Sequence, residues 1–498
     1  MNVLLSHGYF LDEDLKERAI MKPYPPLGLL YLAAWLDLHS VENEVFDTTF
    51  SSKPAFYEYL LKNRPRIVAL YTNLFTKPNL IGIMRFIRSQ EALRNSLVVL
   101  GGSDVMHNVA DYLACGADLI VIGEGEQTLL DIALTVDGGR RTVDGLSGKV
   151  LTKAGGQEAA GGRYQVDFSH IPGLAYRLPD GSVFKTAPRE KLRDLDRLPF
   201  PARHKIDHQL YLDLWKKRHG YNTMSISTQR GCPYTCRWCS TAVYGQSYRR
   251  NSPKSVVDEI EFLQKNYDFD IIWFVDDVFT INYKWLGEFR DELARRNIRI
   301  RFECTTRSDR LNEEVVKMLK DCGCFRVWIG AESGSQRIID AMDRRVDVVQ
   351  VREMIQAAQR EGMEAGTFIM LGYPGETDAD IRETLRHLKA ANPDFFTITV
   401  VYPIKGTGLY EEVQARATIA SPWAESTDRD IDFKRTYPRR YYYYAVRWVV
   451  NAASWHKARQ ANDQFSINGL KSLVKACIAR AGMLWWRVIS APPDRNSS

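Results

Sequence analysis

The sequence predicts an α/β protein in which a doubly wound parallel domain precedes an open barrel of six β/α units and a mainly helical C-terminal extension. Short apolar runs alternate with helix-spaced stretches through residues 1–150, and a second alternation with six apolar runs occupies residues 221–410. Residues 411–498 instead carry aromatic and basic residues at helical spacing. These three compositions predict three successive parts of the chain.

Residues 1–150 predict a Rossmann-like, doubly wound domain. The runs NVLLSH, NEVFDT, RIVALYTN, SLVVLGG and DLIVIGEGE are typical of strands, and the stretches between them have the spacing of amphipathic helices. Ligands of such sheets bind beyond the carboxyl ends of the strands. We therefore expect a ligand site at three segments, YTN, GGSD and GEGE, which place there Tyr71, Thr72, Asn73, Gly101, Gly102, Ser103, Gly123, Glu124, Gly125 and Glu126.

Residues 151–220 predict a linker that contains a β-hairpin around Pro179-Asp180-Gly181. The following prolines favour an extended connection. In residues 221–410, strand-like runs at 223–231, 270–277, 299–307, 325–333, 364–372 and 394–403 are separated by helical segments. Six units fall short of the eight of a closed barrel, so a partial barrel fits better, with its working face at the carboxyl ends of the strands.

Composition excludes several classes of protein. Of 498 residues 45% are hydrophobic and 26% are charged, as in ordinary globular domains. The opening MNVLLSHGYF lacks a basic n-region and a cleavage site, and no run of about 18 apolar residues follows, so we expect a cytoplasmic protein. Five scattered cysteines are interpreted as small buried residues: Cys115, Cys304, Cys322, Cys324 and Cys477.

The remaining three cysteines, Cys232, Cys236 and Cys239, form a C-x-x-x-C-x-x-C cluster directly after the first barrel strand. Closely spaced thiolates bind soft metals and iron–sulfur clusters. A structural zinc normally takes four ligands, and no fourth Cys or His follows within 60 residues, so one coordination position stays open. A structural zinc and three unrelated core thiols are the alternatives.

This loop resembles that of the radical S-adenosylmethionine (SAM) enzymes, including the aromatic Trp238 before the third cysteine. The resemblance implies a four-iron four-sulfur cluster whose open iron binds SAM, and a separate electron donor such as flavodoxin or ferredoxin. It also continues along the predicted strand ends, where MLGYPGET and YPIKGTGLY are similar to later segments of the family, although Lys405 stands where proline is common. The SAM contacts that it implies are Trp238, Asp276, Asp277, Arg307, Glu332, Ser333 and Gly372. Helix caps, a structural ion pair and ordinary turns are the alternatives for these residues.

The first domain is similar to the cobalamin-binding domains that precede some radical SAM barrels, over residues 98–132 and 24–36. The resemblance implies cobalamin at the ten strand-end residues given above. The D-x-H-x-x-G motif that supplies an axial histidine is missing, and His107 is interpreted as an ordinary histidine. Cobalamin without a protein ligand to cobalt, or a fold that has lost the cofactor, are both open.

The resemblance implies methyl transfer to an unactivated carbon through methylcobalamin, in a biosynthetic pathway. The alternative within the family is oxidative or rearranging ring chemistry on a lipid or tetrapyrrole, as in the anaerobic magnesium-protoporphyrin monomethyl ester cyclase. A corrinoid- or metal-binding sensor without catalysis is the alternative from another class. A methylthiotransferase would bring three further cysteines in the first domain, where only Cys115 lies. The sequence identifies no catalytic acid or base.

The last segment carries the positive charge of the chain. Residues 434–498 hold 12 Lys or Arg and two Asp, whereas the whole chain has a net charge of +6. Two interpretations are open: a helical extension packed on the barrel, and an interfacial helix on an anionic membrane or at the site of an amphipathic substrate. The aromatic residues do not form a basic groove, so no nucleic acid partner is expected.

Overall fold

The structure is a computed structural model that describes residues 2–73, 75–141, 166–419 and 421–489. The first domain is built on a seven-stranded sheet of order β2-β1-β3-β4-β5-β6-β7, in which β1 to β5 are parallel and β6 and β7 form an antiparallel hairpin at one edge. The strands are β1 Val3–His7, β2 Asn43–Phe46, β3 Ile67–Thr72, β4 Leu97–Gly102, β5 Leu119–Val121, β6 Leu174–Arg177 and β7 Val183–Lys185. The hairpin expected in the linker therefore extends this sheet.

Helices cover both faces of the first sheet because successive strand residues point to opposite sides. Val3 and Leu5 are buried with Leu29 and Ala33 on one face, whereas Leu4 is buried with residues of the other helices on the second face. The helices are α1 Leu15–Ile20, α2 Leu27–Leu38, α3 Lys53–Asn63, α4 Lys77–Ser89, α5 Val109–Ala114 and α6 Glu126–Arg141. The predicted doubly wound domain is confirmed.

A helix that the sequence analysis did not predict, α7 His208–His219, joins the two domains. Its first turn is capped by the Asp207 carboxylate, and it ends at Gly220 in the left-handed region. Trp215 from this helix is buried and donates its indole N–H to Pro23 O of the first domain. The segment between the domains is therefore packed against the first domain and is not an extended linker throughout.

The second domain is an open, six-stranded parallel sheet of order β15-β14-β13-β12-β11-β8. Its apolar core lies between the strands and the helices on their outer face. The strands, together with a small ribbon β9/β10, are β8 Thr223–Ile226, β9 Gln229–Arg230, β10 Arg249–Arg250, β11 Ile271–Phe274, β12 Phe302–Thr306, β13 Cys324–Glu332, β14 Glu364–Leu371 and β15 Phe395–Val400. The helices are α8 Pro253–Asn266, α9 Tyr283–Arg295, α10 Glu313–Asp321, α11 Gln336–Ala341, α12 Val348–Arg360 and α13 Asp378–Ala391. The predicted partial barrel of six units is confirmed.

The C-terminal extension is mainly helical, as predicted, and packs on the barrel. It comprises α14 Gly408–Val413, a strand pair β16 Ala417–Ile419 and β17 Ile431–Phe433, and two long helices, α15 Arg439–Gln460 and α16 Ile467–Ile489. The long helices form an antiparallel pair, and α15 lies against α13, β14 and β15. No helix in the described ranges is long and apolar enough to cross a membrane.

The scattered cysteines differ in burial. Cys304, Cys322 and Cys324 lie in the barrel core, as expected for small apolar side chains. Cys115 is only half-buried and Cys477 is exposed, so for these two the expectation of a buried residue is wrong.

Candidate active site

The cysteine loop is held at its base by backbone pairing and by one carboxylate. β9 and β10 pair antiparallel with Arg230 opposite Arg249, so both ends of the segment 231–248 are fixed together. Gly231 has φ +83°, and a Cβ there would lie 2.4 Å from Ser247 O, so only glycine fits. Asp276 accepts from the Thr228 and Gln229 backbone N–H groups at 2.8 and 3.2 Å. The loop that carries the three thiols is therefore rigidly mounted.

The three thiols lie in one charged environment. Arg307 Nη1 donates to Cys236 Sγ at 3.5 Å, and Arg344 Nη1 lies 3.8 Å from the same sulfur. Desolvation, the Asp277 carboxylate and the other two thiols together raise the pKa of the Cys239 thiol to about 12, against the opposing charge of Arg344. Because ligand thiols must lose their protons, metal loading here is expected to release them.

The arrangement fits a cluster better than a single ion. No three Cys, His, Asp or Glu side chains in the described part of the chain converge on one metal position. A four-iron cluster does not require such convergence, since each thiolate binds a different iron. The two guanidinium groups beside Cys236 compensate the negative charge that a thiolate cluster would bring.

Asp276 and Asp277 follow the second barrel strand, as predicted, but they face different partners. Asp276 is buried, and its carboxylate accepts hydrogen bonds from Thr228 and Gln229. The same carboxylate lies 3.5 Å from the guanidinium group of Arg250. Both aspartates line the cavity between the domains, but only Asp277 is exposed. Of the two predicted SAM contacts, Asp277 is therefore the carboxylate that is available to a ligand amine.

Arg307 and Glu332 lie at the ends of the third and fourth barrel strands, close to the cysteine loop. Arg307 is buried, stacks 3.8 Å over the Tyr234 ring and donates to Asp309 and to Arg344 O at 2.8 and 2.7 Å. Glu332 is buried with φ +65° and lies 3.5 Å from Arg344. Burial raises the pKa of Glu332 against the opposing charges of the two arginines.

The other residues predicted to contact SAM lie against protein groups near the ends of the fourth and fifth barrel strands and in the cysteine loop. Trp238 is half-buried against the Met342 and Tyr373 cluster. The Ser333 hydroxyl is buried beside Thr384, and the Gly372 N–H donates to Glu376 at 2.6 Å. Their contact with SAM stays a prediction.

A cavity of about 520 Å³ lies between the two domains. Of the ten residues predicted for cobalamin, eight line it; Thr72 is buried against Tyr112 and Ser103 contacts the Tyr71 side chain instead. Gly102 has φ +116°, and a Cβ there would meet Thr72 O at 2.1 Å, which keeps this rim free of side chains. On the barrel side the wall includes Gln229 and Asp277.

The cavity is suited to a large ligand that contacts both domains. Both polar side-chain atoms of Gln229 are buried without a hydrogen-bond partner among the described residues. Such groups are costly unless a ligand or water satisfies them. His107, which lacks the axial-ligand motif, lies instead against Gly406, and the nearby Lys405 donates to Asn108 at 2.9 Å. The lysine at the usual proline position thus joins the barrel to the first domain.

Three site residues were missed by the sequence analysis: Gln229, Arg230 and Arg344. Gln229 and Arg230 directly precede Gly231-Cys232, which was a usable signal. Arg344 lies 105 positions beyond Cys239, in a segment with no motif, so only the packing of the fourth unit brings it to the cysteine loop.

Comparisons with known proteins find a domain family in each half of the chain. The model of the B12 binding domain matches residues 19–133, and that of the radical SAM superfamily matches residues 226–388. An uncharacterized methyltransferase of Pyrococcus horikoshii is 28% identical, over 80% of each chain. The anaerobic magnesium-protoporphyrin IX monomethyl ester cyclase of Rubrivivax gelatinosus is 27% identical, over 78% of this chain and 66% of that protein. Among solved structures, the radical SAM methyltransferase TsrM of Kitasatospora setae shares the fold, with a TM-score of 0.64 and 20% identity over 84% of this chain and 79% of that one.

The chain therefore combines a B12 binding domain with a radical SAM domain, and it is an enzyme. It is similar over most of its length to an uncharacterized methyltransferase and to the cyclase. Its cofactors are accordingly a four-iron four-sulfur cluster, SAM and cobalamin.

Proposed function

We propose that this enzyme transfers a methyl group from SAM to an unactivated carbon of a small-molecule or lipid-like substrate. One observation carries the proposal: a single cavity extends from the glycine-rich strand ends of the first domain to Asp277 beside the cysteine loop. A methyl carrier and a radical source must both reach one substrate carbon, and this cavity joins the two sites. The methyltransferase relatives support the same reaction.

The cluster with SAM supplies radical chemistry and cobalamin supplies methyl transfer, while the protein positions and shields them. Cys232, Cys236 and Cys239 hold the cluster, and Asp277 accepts hydrogen bonds from the amine of SAM. Arg307 and Arg344 hold positive charge beside Cys236. The cavity wall is mainly apolar, which limits the access of water to a radical.

Cyclase-like chemistry without methyl transfer is the second candidate, favoured by the cyclase relative. The two reactions differ in their products. Methylation is expected to form S-adenosylhomocysteine and 5′-deoxyadenosine together, whereas the alternative forms 5′-deoxyadenosine alone. A sensor would leave SAM intact under dithionite.

Product analysis of the anaerobically reconstituted enzyme tests the proposal. The protein is incubated with dithionite, hydroxocobalamin, methyl-labelled SAM and separate aqueous and lipid extracts, and label in either phase assigns the substrate class. The matched control is C232A/C236A/C239A, which is expected to cleave no SAM. Label that stays in SAM with the wild-type enzyme in every extract, or 5′-deoxyadenosine without S-adenosylhomocysteine, contradicts methyl transfer.

We further propose that α16 binds anionic membrane surfaces. One side of this helix packs on α15 through Ala476, Ala479 and Met483. The other side exposes apolar side chains along its whole length: Ile467, Leu470, Val474, Ile478, Leu484, Trp485, Val488 and Ile489. The helix contains no acidic residue, and Lys471 and Lys475 lie exposed along this stripe. Apolar residues with basic neighbours are typical of interfacial helices.

Sedimentation with vesicles tests the membrane contact. The full chain is expected to pellet with vesicles that contain phosphatidylserine, and I478E/W485E is expected to stay in the supernatant. Equal pelleting of both, or dimerisation of the wild type that the double variant abolishes, contradicts lipid binding.

A further inference from the structure

Four charged side chains, two of them buried and two largely buried, join the two domains at one edge of the cavity. Glu124 and Glu126 follow β5 in the first domain, and Arg230 and Arg249 lie in β9 and β10 of the barrel. Glu124 Oε1 lies 2.7 Å from Arg249 Nη1 and 3.4 Å from Arg230 Nη1, while Arg230 Nη2 contacts Glu126 Oε1. We name these four residues the interdomain clasp.

The clasp is shielded from water and closely held. The Arg230 and Glu124 side chains are 6% and 8% exposed. Glu124 Oε2 also accepts from the Leu192 N–H at 2.9 Å, and Arg230 lies 5.3 Å from the centre of the Tyr244 ring. Removing one member of a buried ion pair leaves the other charge without compensation, which is strongly destabilising.

The position of the clasp relates it to both cofactor sites. Arg230 and Arg249 are directly opposite each other in the ribbon, so they form the base of the cysteine loop, and Cys232 follows two residues after Arg230. Glu124 and Glu126 flank Gly125 at the rim expected to contact cobalamin. The two carboxylates that the sequence predicts to contact cobalamin therefore form ion pairs with arginines of the barrel.

We propose that the interdomain clasp sets the placement of the cysteine loop relative to the cobalamin rim. Glu126 and Arg230 are positioning residues: they hold the two sites in register and make no contact with the reacting atoms. The part of this proposal that concerns cobalamin rests on the proposed function, whereas the tie between the two loops does not. Three ion pairs between residues 104 to 125 positions apart then set the geometry in which methyl transfer takes place.

Hydrogen exchange of the cofactor-free full chain tests the tie. In E126Q, the amides of residues 123–126 and 229–232 are expected to exchange at least tenfold faster than in the wild type. The double variant E126Q/R230Q is expected to accelerate exchange less than the product of the two single effects, because the two residues share one interaction. The matched control is D137N, which breaks the half-exposed pair Arg66–Asp137 on the same helix α6 and is expected to leave both loops unchanged. Unchanged exchange at either loop in E126Q overturns the proposal.

Electron paramagnetic resonance of the loaded protein tests the placement. The dipolar interaction between cob(II)alamin and the reduced cluster depends on their separation, and it is expected to change in E126Q but not in D137N. Faster exchange with an unchanged dipolar interaction overturns the positioning role and leaves a structural tie alone. If the wild type takes up no corrinoid, the proposed function fails, and hydrogen exchange alone then decides whether the clasp links the loops.

Discussion

Adjacent carboxylates at the end of β11 have different surroundings and are expected to do different work. Both residues line the cavity, but the Asp276 carboxylate is buried and accepts from the base of the cysteine loop, whereas Asp277 is exposed. The pattern of two acidic residues after a strand does not distinguish them. The two residues differ because the Asp276 side chain lies against Thr228 in the fold, whereas that of Asp277 does not.

This contrast gives a paired prediction. D276N weakens the anchor of the cysteine loop and is expected to lower the iron content of reconstituted protein severalfold. D277N leaves the loop intact and is expected to retain iron while the apparent affinity for SAM falls at least tenfold, as for the loss of a charge-assisted hydrogen bond. Iron analysis and equilibrium binding of SAM measure the two effects. Loss of iron in D277N, with retention in D276N, would reverse the assignment.

Glu376 is predicted to make stability depend on pH. It is fully buried, and desolvation raises its pKa from about 4.5 to about 8, with Asp380 acting in the same direction and Arg337 against it. Between these values the folded state keeps a proton that the unfolded state releases, so stability falls as pH rises from 5 to 8. The loss is at most several kcal/mol, at about 1.4 kcal/mol per pKa unit.

The matched variant is E376Q, whose amide oxygen can still accept from the Gly372 N–H. Because glutamine does not titrate, the variant is expected to lose less stability than the wild type between pH 6 and pH 9. Urea unfolding at both values measures the difference. Identical pH dependence in the two proteins would show that Glu376 is not the titrating group.

At the scale of elements, one carboxylate in α13 accepts hydrogen bonds from both long C-terminal helices. Asp378 accepts from Arg480 of α16 at 2.5 and 2.9 Å and from Tyr441 of α15 at 2.7 Å. These partners hold the pKa of Asp378 well below its usual range despite burial. One side chain therefore joins both long helices to the barrel.

D378N is expected to destabilise the packing of α15 and α16 by about 2 kcal/mol, since it weakens the hydrogen bonds to the partly exposed Arg480. Hydrogen exchange over residues 439–489 measures the loss. The control is E383Q, also in α13, which removes an exposed pair with Arg386 and is expected to have little effect. Equal protection in D378N and the wild type would place the anchor elsewhere.

At the scale of the whole molecule, the domains are joined at more than one place. Besides the clasp, Asn108 Oδ1 of the first domain accepts from Lys405 Nζ at 2.9 Å and from Trp423 Nε1 at 3.2 Å. Trp423 also stacks edge-on against Tyr112. The barrel and its extension therefore hold the first domain through distinct sets of contacts.

N108A is expected to weaken this second connection and to separate the unfolding of the two domains, so that a broader or two-step thermal transition replaces a narrower one. Differential scanning calorimetry measures it. N79A, which removes a hydrogen bond to Gly8 O within the first domain, is the control and is expected to shift the transition without dividing it. A transition of unchanged width in N108A would show that the Asn108 contacts are not needed to couple the two domains.

The sequence by itself determined that there are two sheets and where their strands lie along the chain. It also determined the hairpin around Pro179-Asp180-Gly181 and the cysteine loop. These features follow from local periodicity and spacing, which are properties of neighbouring residues. Ligands of doubly wound sheets bind beyond the carboxyl ends of the strands, and eight of the ten residues expected there for cobalamin line the cavity.

Only the tertiary structure decided the partners of the charged residues. In the folded chain Glu124 pairs with Arg249 and Glu126 pairs with Arg230. Asp276 accepts from the base of the cysteine loop, and Arg344 lies beside Cys236. One side of α16 is exposed. The charged partners are 48 to 125 positions apart in the chain, and the exposure of α16 is a property of the part of the chain that the structure describes. The physical reason is that hydrophobic periodicity fixes which face of an element is buried, whereas the partner of a buried charge is chosen by the packing of whole domains.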